Sequence, residues 1–225
     1  MNYIYHLWCR RMESYGLRVI TDAVNEPITL AETWLHLRLD AYGSPLEHPD
    51  DAWLTEMIPA ARQLCEMEHG SSMAPQVLEL SLQGFPTAYR QGVGDLIALP
   101  MGPVAGVQSV SYTDSTGAVV TLTEGVDYTV DLTSDPCYVY PYLGTCWPAP
   151  ALVPGAVKIR YNAGYTTASD SPNDMPLPKF MRSAILLTLG HLYENREATT
   201  DLVLTELPMG VKSLLSRNKQ RMGFA

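Results

Sequence analysis

The sequence is short of positive charge: 15 lysines and arginines stand against 24 aspartates and glutamates, a formal net charge of −9. That balance argues against a protein whose main task is gripping nucleic-acid phosphates, which needs clustered cations. The four cysteines, Cys9, Cys65, Cys137 and Cys146, form no CxxC pair and match no histidine spacing. A zinc site is therefore not expected, and free thiols in a reducing compartment fit the pattern. No segment reaches the roughly 18 apolar residues of a membrane span. Ile4, Leu7 and Trp8 are followed at once by Arg10, Arg11 and Glu13, so no apolar signal-peptide core forms. These absences describe a soluble, intracellularly made protein. Catalytic signatures are missing as well, with no GxSxG, no Walker A and no HExxH. Gly92 and Gly94 follow Tyr89 and Arg90 without a strand before or a helix after, so they mark a turn and not a phosphate loop.

What is present is enough apolar residue, 46% of 225, to bury a core of one ordinary domain or one with a large insert. The stretch 174–197, DMPLPKFMRSAILLTLGHLYENRE, has the longest helical periodicity. Pro176 and Pro178 suit a helix start, where a missing N–H costs nothing. Phe180, Ala184, Leu187 and His191 form one stripe, and Met181, Ile185, Leu189 and Leu192 a second. Two stripes nearly wrap the cylinder, which predicts a helix buried on most sides, in a small domain's centre or between subunits.

Ahead of it, residues 1–16 fit a short helix or a disordered lead, and 17–20 a short strand. Thr29 and Glu32 have capping-box spacing, opening an amphipathic helix to about Leu39. Asp50 and Asp51 suit the start of a second helix running to a Gly70 cap, and Pro59 within it predicts a kink or a break. From Val77 the period shifts towards 2, with strands predicted over 76–83, 96–99, 104–112, 118–122, 128–132 and 157–161. The DSTG at 114–117 predicts a hairpin turn, and five prolines make 135–154 loop or edge. After the long helix, 207–210 resembles a turn, 211–217 a last short helix, and 218–225 a mobile basic tail. The order predicts an α+β fold, a small helical bundle around a long helix in the C-terminal half, with an inserted antiparallel β block and an extended C-terminal tail. The expected division is 1–75 for the N-terminal segment and first bundle helices, 76–170 for the β block, 171–197 for the core helix and 198–225 for a docking segment.

No catalytic, cofactor or metal constellation emerges from the titratable residues. His191 on an apolar face is a packed or interface histidine, His36 and His69 lie on amphipathic helices, and a helix-start role explains Asp50 and Asp51 without a metal. Of 13 tyrosines, Tyr112, Tyr128, Tyr138, Tyr140, Tyr142, Tyr161 and Tyr165 cluster in the strand block and its loops. Tyrosine is enriched where protein surfaces meet, although strand propensity explains part of the clustering. From Lys212 onward, Lys212, Arg217, Lys219 and Arg221 occur with no acid, a solvated end or a docking peptide that joins charge to Leu214, Leu215 and Phe224.

Read in order, ITLAE at 28–32 with LRLD at 37–40, IPAAR at 58–62, GFP at 84–86, IALPMGPV at 97–104, YNAGY at 161–165, HLYENRE at 191–197 and LPMGV at 207–211 resemble the head-tail connector, or adaptor, family of tailed bacteriophages. The resemblance implies a structural virion protein and not an enzyme. Members form a ring beneath the portal, extend the DNA channel and offer a platform to the next neck or tail protein. It implies portal contacts at Val211, Leu214, Leu215, Arg217, Lys219 and Arg221. A ring also needs buried side faces, expected on the long helix at Phe180, Ala184, Leu187, His191, Tyr193 and Arg196. The implied partners are the portal protein, neck or tail-completion proteins and further copies of the chain, twelve-fold to match the portal. Genomic DNA would pass without specific binding, which an acidic body permits; no membrane and no cofactor is implied. The expected place is the portal vertex of the virion, after synthesis in the host cytoplasm. Two other readings stay open, a different neck component such as a stopper or tail-completion protein, and a glycan- or ligand-binding β module using the aromatics from Tyr138 to Trp147.

Overall fold

Four helices and eight strands form the described part of the chain, in a computed structural model covering residues 15–40, 42, 47–86, 95–166, 175–196 and 209–216. The fold is α+β, as the sequence predicts. In chain order the elements are β1 (Tyr15–Thr21), α1 (Leu30–Leu37), α2 (Asp51–His69), β2 (Gln76–Leu82), β3 (Ile97–Ala98), β4 (Val104–Thr113), β5 (Val119–Leu122), β6 (Tyr128–Asp131), β7 (Tyr138–Pro141), β8 (Val157–Ala163), α3 (Lys179–Glu194) and α4 (Met209–Ser216). They fall into two compact units, each built from separated pieces of chain. One is a β unit, 1–22 with 76–164, and the other a helical unit, 23–75 with 165–225.

The β unit holds two antiparallel sheets. Five strands run in the order β1-β2-β8-β4-β5 and three in the order β3-β7-β6. Strict alternation along β8, with Val157, Ile159, Tyr161 and Ala163 buried and Lys158, Arg160 and Asn162 exposed, fixes which face of the large sheet looks inward. Its neighbours in register, Leu78 and Leu80 on β2 and Val110 on β4, share that face. Ile97, Val139 and Tyr128 of the small sheet belong to the same apolar cluster, so the two sheets enclose one core between them. The β4–β5 hairpin turns as the sequence predicts. Asp114 accepts hydrogen bonds from the Thr116 and Ala118 amides, and Gly117 takes a φ of +89° that a side chain would strain.

Two sequence expectations are corrected and a third is narrowed. β1 pairs with β2 as an edge of the large sheet, so the strand foreseen over 17–20 belongs with the β block and not with the helices. The segment 135–154, expected as loop or edge, contains β7, the central strand of the small sheet; its prolines lie at or beyond the strand ends, where no ladder N–H is lost. Of the kink or break expected at Pro59, the break does not occur. α2 runs unbroken through this proline, because one missing hydrogen bond is outweighed by burial of Leu54, Ile58, Ala61 and Cys65 on one face.

In the helical unit, α1 begins with the foreseen capping box. Glu32 donates its amide to the Thr29 hydroxyl and accepts from the Thr29 amide. α3 starts after Pro178 and buries Met181, Ala184, Ile185, Thr188 and Leu189 against α2 and α4. Leu187 stays 42% exposed, so the cylinder is wrapped on most sides and not all. α1 packs over Gly190 without requiring glycine there. A Cβ there would meet His36 and Leu37 at 3.6–3.7 Å, an ordinary contact distance.

Candidate subunit and docking surfaces

The end of α3 and the start of α2 meet in a partly exposed polar cluster. The Tyr193 hydroxyl donates to Asp50 Oδ2 at 2.6 Å, and Arg196 reaches the same carboxylate through Nη1 at 3.1 Å and Nη2 at 2.8 Å. The Arg196 guanidinium lies over the Tyr193 ring at 4.3 Å and the Trp53 ring at 4.6 Å, while those two rings meet edge to face at 5.7 Å. The hydrogen bonds from Arg196 and then Tyr193 hold the Asp50 carboxyl down at about 2, so it is a fixed anion at any physiological pH. Asp51 has separate work, accepting from the Trp34 indole at 2.7 Å and from the His48 amide at 2.8 Å. The two acids that the sequence assigns to a helix start thus tie α2 to α3 and to α1.

A second ionic cluster is mostly interior, with Arg62 and Glu66 buried and Glu26 partly exposed. Arg62 is fully buried, binds Glu26 in bidentate fashion at 2.8 and 3.1 Å and binds Glu66 at 2.9 Å. Glu66 in turn accepts from the Met73 amide at 2.6 Å. Burial raises the Glu66 carboxyl, and Arg62 and the backbone donors oppose that rise. A buried guanidinium with both partners in place fixes the start of the segment that follows α2.

Of the proposed subunit-interface residues, Ala184 is buried in the helical core and Phe180 packs against it. Tyr193 and Arg196 are committed to Asp50. His191 is half-buried, with Asn195 Nδ2 at 3.3 Å from its Nδ1. Leu187 alone among the six presents a free apolar surface. Of the proposed portal contacts, Val211 and Leu215 are both 0% exposed and anchor α4 in the core of its own unit, whereas Leu214 is half-buried. Arg217, Lys219 and Arg221 lie outside the described residues, as do the GVG at 92–94 and the termini.

The tyrosines divide in the same way. Tyr161 is buried, donates its hydroxyl to the Pro100 carbonyl at 2.8 Å, and has its phenol raised beyond the ordinary range by that burial. Tyr128 is buried too, and Tyr112 meets Phe85 edge to face at 5.9 Å. Trp147, central to the sugar-binding alternative, stacks on Phe85 at 4.5 Å with planes 8° apart and donates its indole N–H to Asp95 O at 2.9 Å. One ring face is covered by Phe85 and the indole packs against the core. Among the described residues no group of histidines, cysteines and carboxylates could hold a metal ion, and no helix is long and apolar enough to cross a membrane. Cys65 and Cys137 are buried free thiols, with burial pushing Cys65 up to about 11, far from a reactive thiolate.

No family model and no curated protein matches the chain. Solved structures do. The fold is shared with a chain in the virion of a native gene transfer agent (GTA) particle, at 22% identity and TM-score 0.68 over 92% of this chain and 97% of that one. It is shared with a chain in the neck of an empty GTA particle computed with C6 symmetry, at 24% identity, TM-score 0.67, and coverage of 93% and 97%. A neck of native GTA particle computed with C12 symmetry gives 21% identity, TM-score 0.64, and coverage of 93% and 97%. Near-complete coverage in both directions means that the likeness spans both units and is not confined to one sheet.

Proposed function

We propose that the chain is a structural virion protein, a head-tail connector or adaptor whose copies form a ring under the portal, extend the DNA channel and carry the next neck component. The observation that supports this most is the shared fold over 92–93% of the chain with components of GTA virion and neck structures, two of those necks computed with C6 and C12 symmetry. Rotational symmetry of that kind is the setting in which a subunit uses two different side faces. The use of buried Arg62 and Glu66 for packing agrees with a scaffold. In this reading α4 is held by Val211 and Leu215, while Leu214 and the following Arg217, Lys219 and Arg221 reach the portal.

The test is to mix the purified chain with its portal and image the product by negative stain, alongside a variant ending at Ser216. Cutting after Ser216 keeps the buried anchors, so a loss of binding reports docking and not unfolding. Rings on the portal with the full chain, and none with the shortened one, are expected. Full-length chain that ignores the portal but captures a tail-side protein in a pull-down would move the assignment to a stopper or tail-completion protein.

A further inference from the structure

The two sheets of the β unit enclose their core from opposite sides, so each also has an outer face, and the two outer faces carry opposite charge. Register puts Arg18, Glu79 and Arg160 in one row across the outer face of the large sheet, with Ser81, Lys158, Ser111 and Thr121 in the next. Arg18, Lys158 and Arg160 are exposed. The single acid on these strands, Glu79, is 6% exposed and held by Arg160 at 2.6 Å, so the face is net cationic within a chain of net charge −9.

The small sheet is the reverse. Val130, Val139 and Ile97 pair on its inner face, which turns Asp131, Tyr138 and Tyr140 outward. Glu124 and Asp135 are exposed in the flanking turns, and no lysine or arginine occurs between Arg90 and Lys158. The Asp131 carboxyl is kept ionised by hydrogen bonds from Ser134 and Thr133. Acids beside half-exposed tyrosines, without a competing cation, make a surface suited to a basic polar partner.

We infer that a second copy of this chain is that partner: the cationic outer face of the large sheet of one copy docks on the acidic, tyrosine-bearing outer face of the small sheet of the next. Two different faces of one subunit joined head to tail make a heterologous contact, which closes into a ring when the rotation allows. Charge complementarity between identical chains selects this occupant. A duplex would meet only three cations, one already neutralised by Glu79, which is a weak phosphate grip. The inference deepens the ring reading and names its side contact, but the contact is measurable on the chain without any portal.

The experiment is sedimentation velocity on the full chain at low and high salt, alone and with portal present, for four proteins. These are the wild type, R18Q/K158E, E124K/D135K and the variant carrying all four changes. Arg18 is neutralised and not reversed because it faces Glu79, and none of the four residues is in either core. Wild-type self-association that weakens with salt is expected. Each double variant should lose it by about tenfold or more, the scale of like-charge contacts, and the fourfold variant should regain it. Wild type that stays monomeric in both settings, double variants that associate like wild type, or a fourfold variant that stays apart each overturns the contact. So does a result in which R18Q/K158E loses only duplex binding in a mobility-shift assay, which would make the face a nucleic-acid site. Self-association that passes this test while the chain ignores portal would keep the contact and sink the connector reading instead.

Discussion

In the helical unit a guanidinium and two carboxylates sit within or beside the core, and a second guanidinium lies against two aromatic rings. In the β unit the core is apolar apart from tyrosine hydroxyls, and the described cations all face solvent. Charges that are already paired inside a unit fix its shape and cannot recruit a partner. Charges left on a flat outer face do little for stability and are available for recognition. The difference explains why the residues the sequence nominates for contact, chosen on α3 and α4, are mostly consumed internally.

The largest break in this contrast should come from Arg62→Ala, which leaves Glu26 and Glu66 facing each other inside the helical unit. A loss of about 3–5 kcal/mol is expected in urea unfolding, in the range for stripping one partner from a buried pair. Trp147→Ala should follow, at about 3 kcal/mol or more for an aromatic removed from a packed stack. It should lower the melting temperature without changing retention on immobilised glycans; unchanged melting together with lost retention would revive the ligand-binding reading. The smallest effect belongs to the exposed Asp50 cluster. The Asp50 carboxyl sits at about 2 when folded, below its ordinary 3.8, so its contribution is complete above 3.8 and is lost as pH falls from 3.8 towards 2. Asp50→Asn should therefore flatten the acid limb of a melting-temperature profile and leave Arg62-dependent stability untouched. A profile that keeps the wild-type slope would deny the cluster this role.

Much of this architecture was legible from local chemistry. The Thr29–Glu32 box, the Gly70 cap, the Asp114 turn and the alternation in β8 each rest on neighbours within a few residues, and each is where the spacing predicts. What escaped depends on partners far along the chain. Asp50 and Asp51 looked like helix-start acids because Tyr193, Arg196 and Trp34 could not be placed beside them. β7 was hidden by the prolines on either side of it, and only its two flanking strands make it a centre. Val211 and Leu215 looked like anchors for a partner because an amphipathic stripe does not say whose core it enters. The opposed outer faces of the β unit could not be found at all until register showed which side of each strand looks out.

The interleaving of the two units also sets an order of events during synthesis. β1 must wait for β2, on the far side of α1 and α2, and β2 in turn pairs with β8, whose first residue is Val157. α2 must wait for α3, which begins at Lys179. Neither unit is complete when the ribosome has delivered the first two thirds of the chain, so there is no early domain to shelter the nascent strands. Such long-range closure is slow and leaves strand edges open meanwhile. The β unit should close only once β8 emerges and the helical unit only with α3 and α4, so a chain stalled before β8 should be an aggregation-prone product and not a half-built subunit.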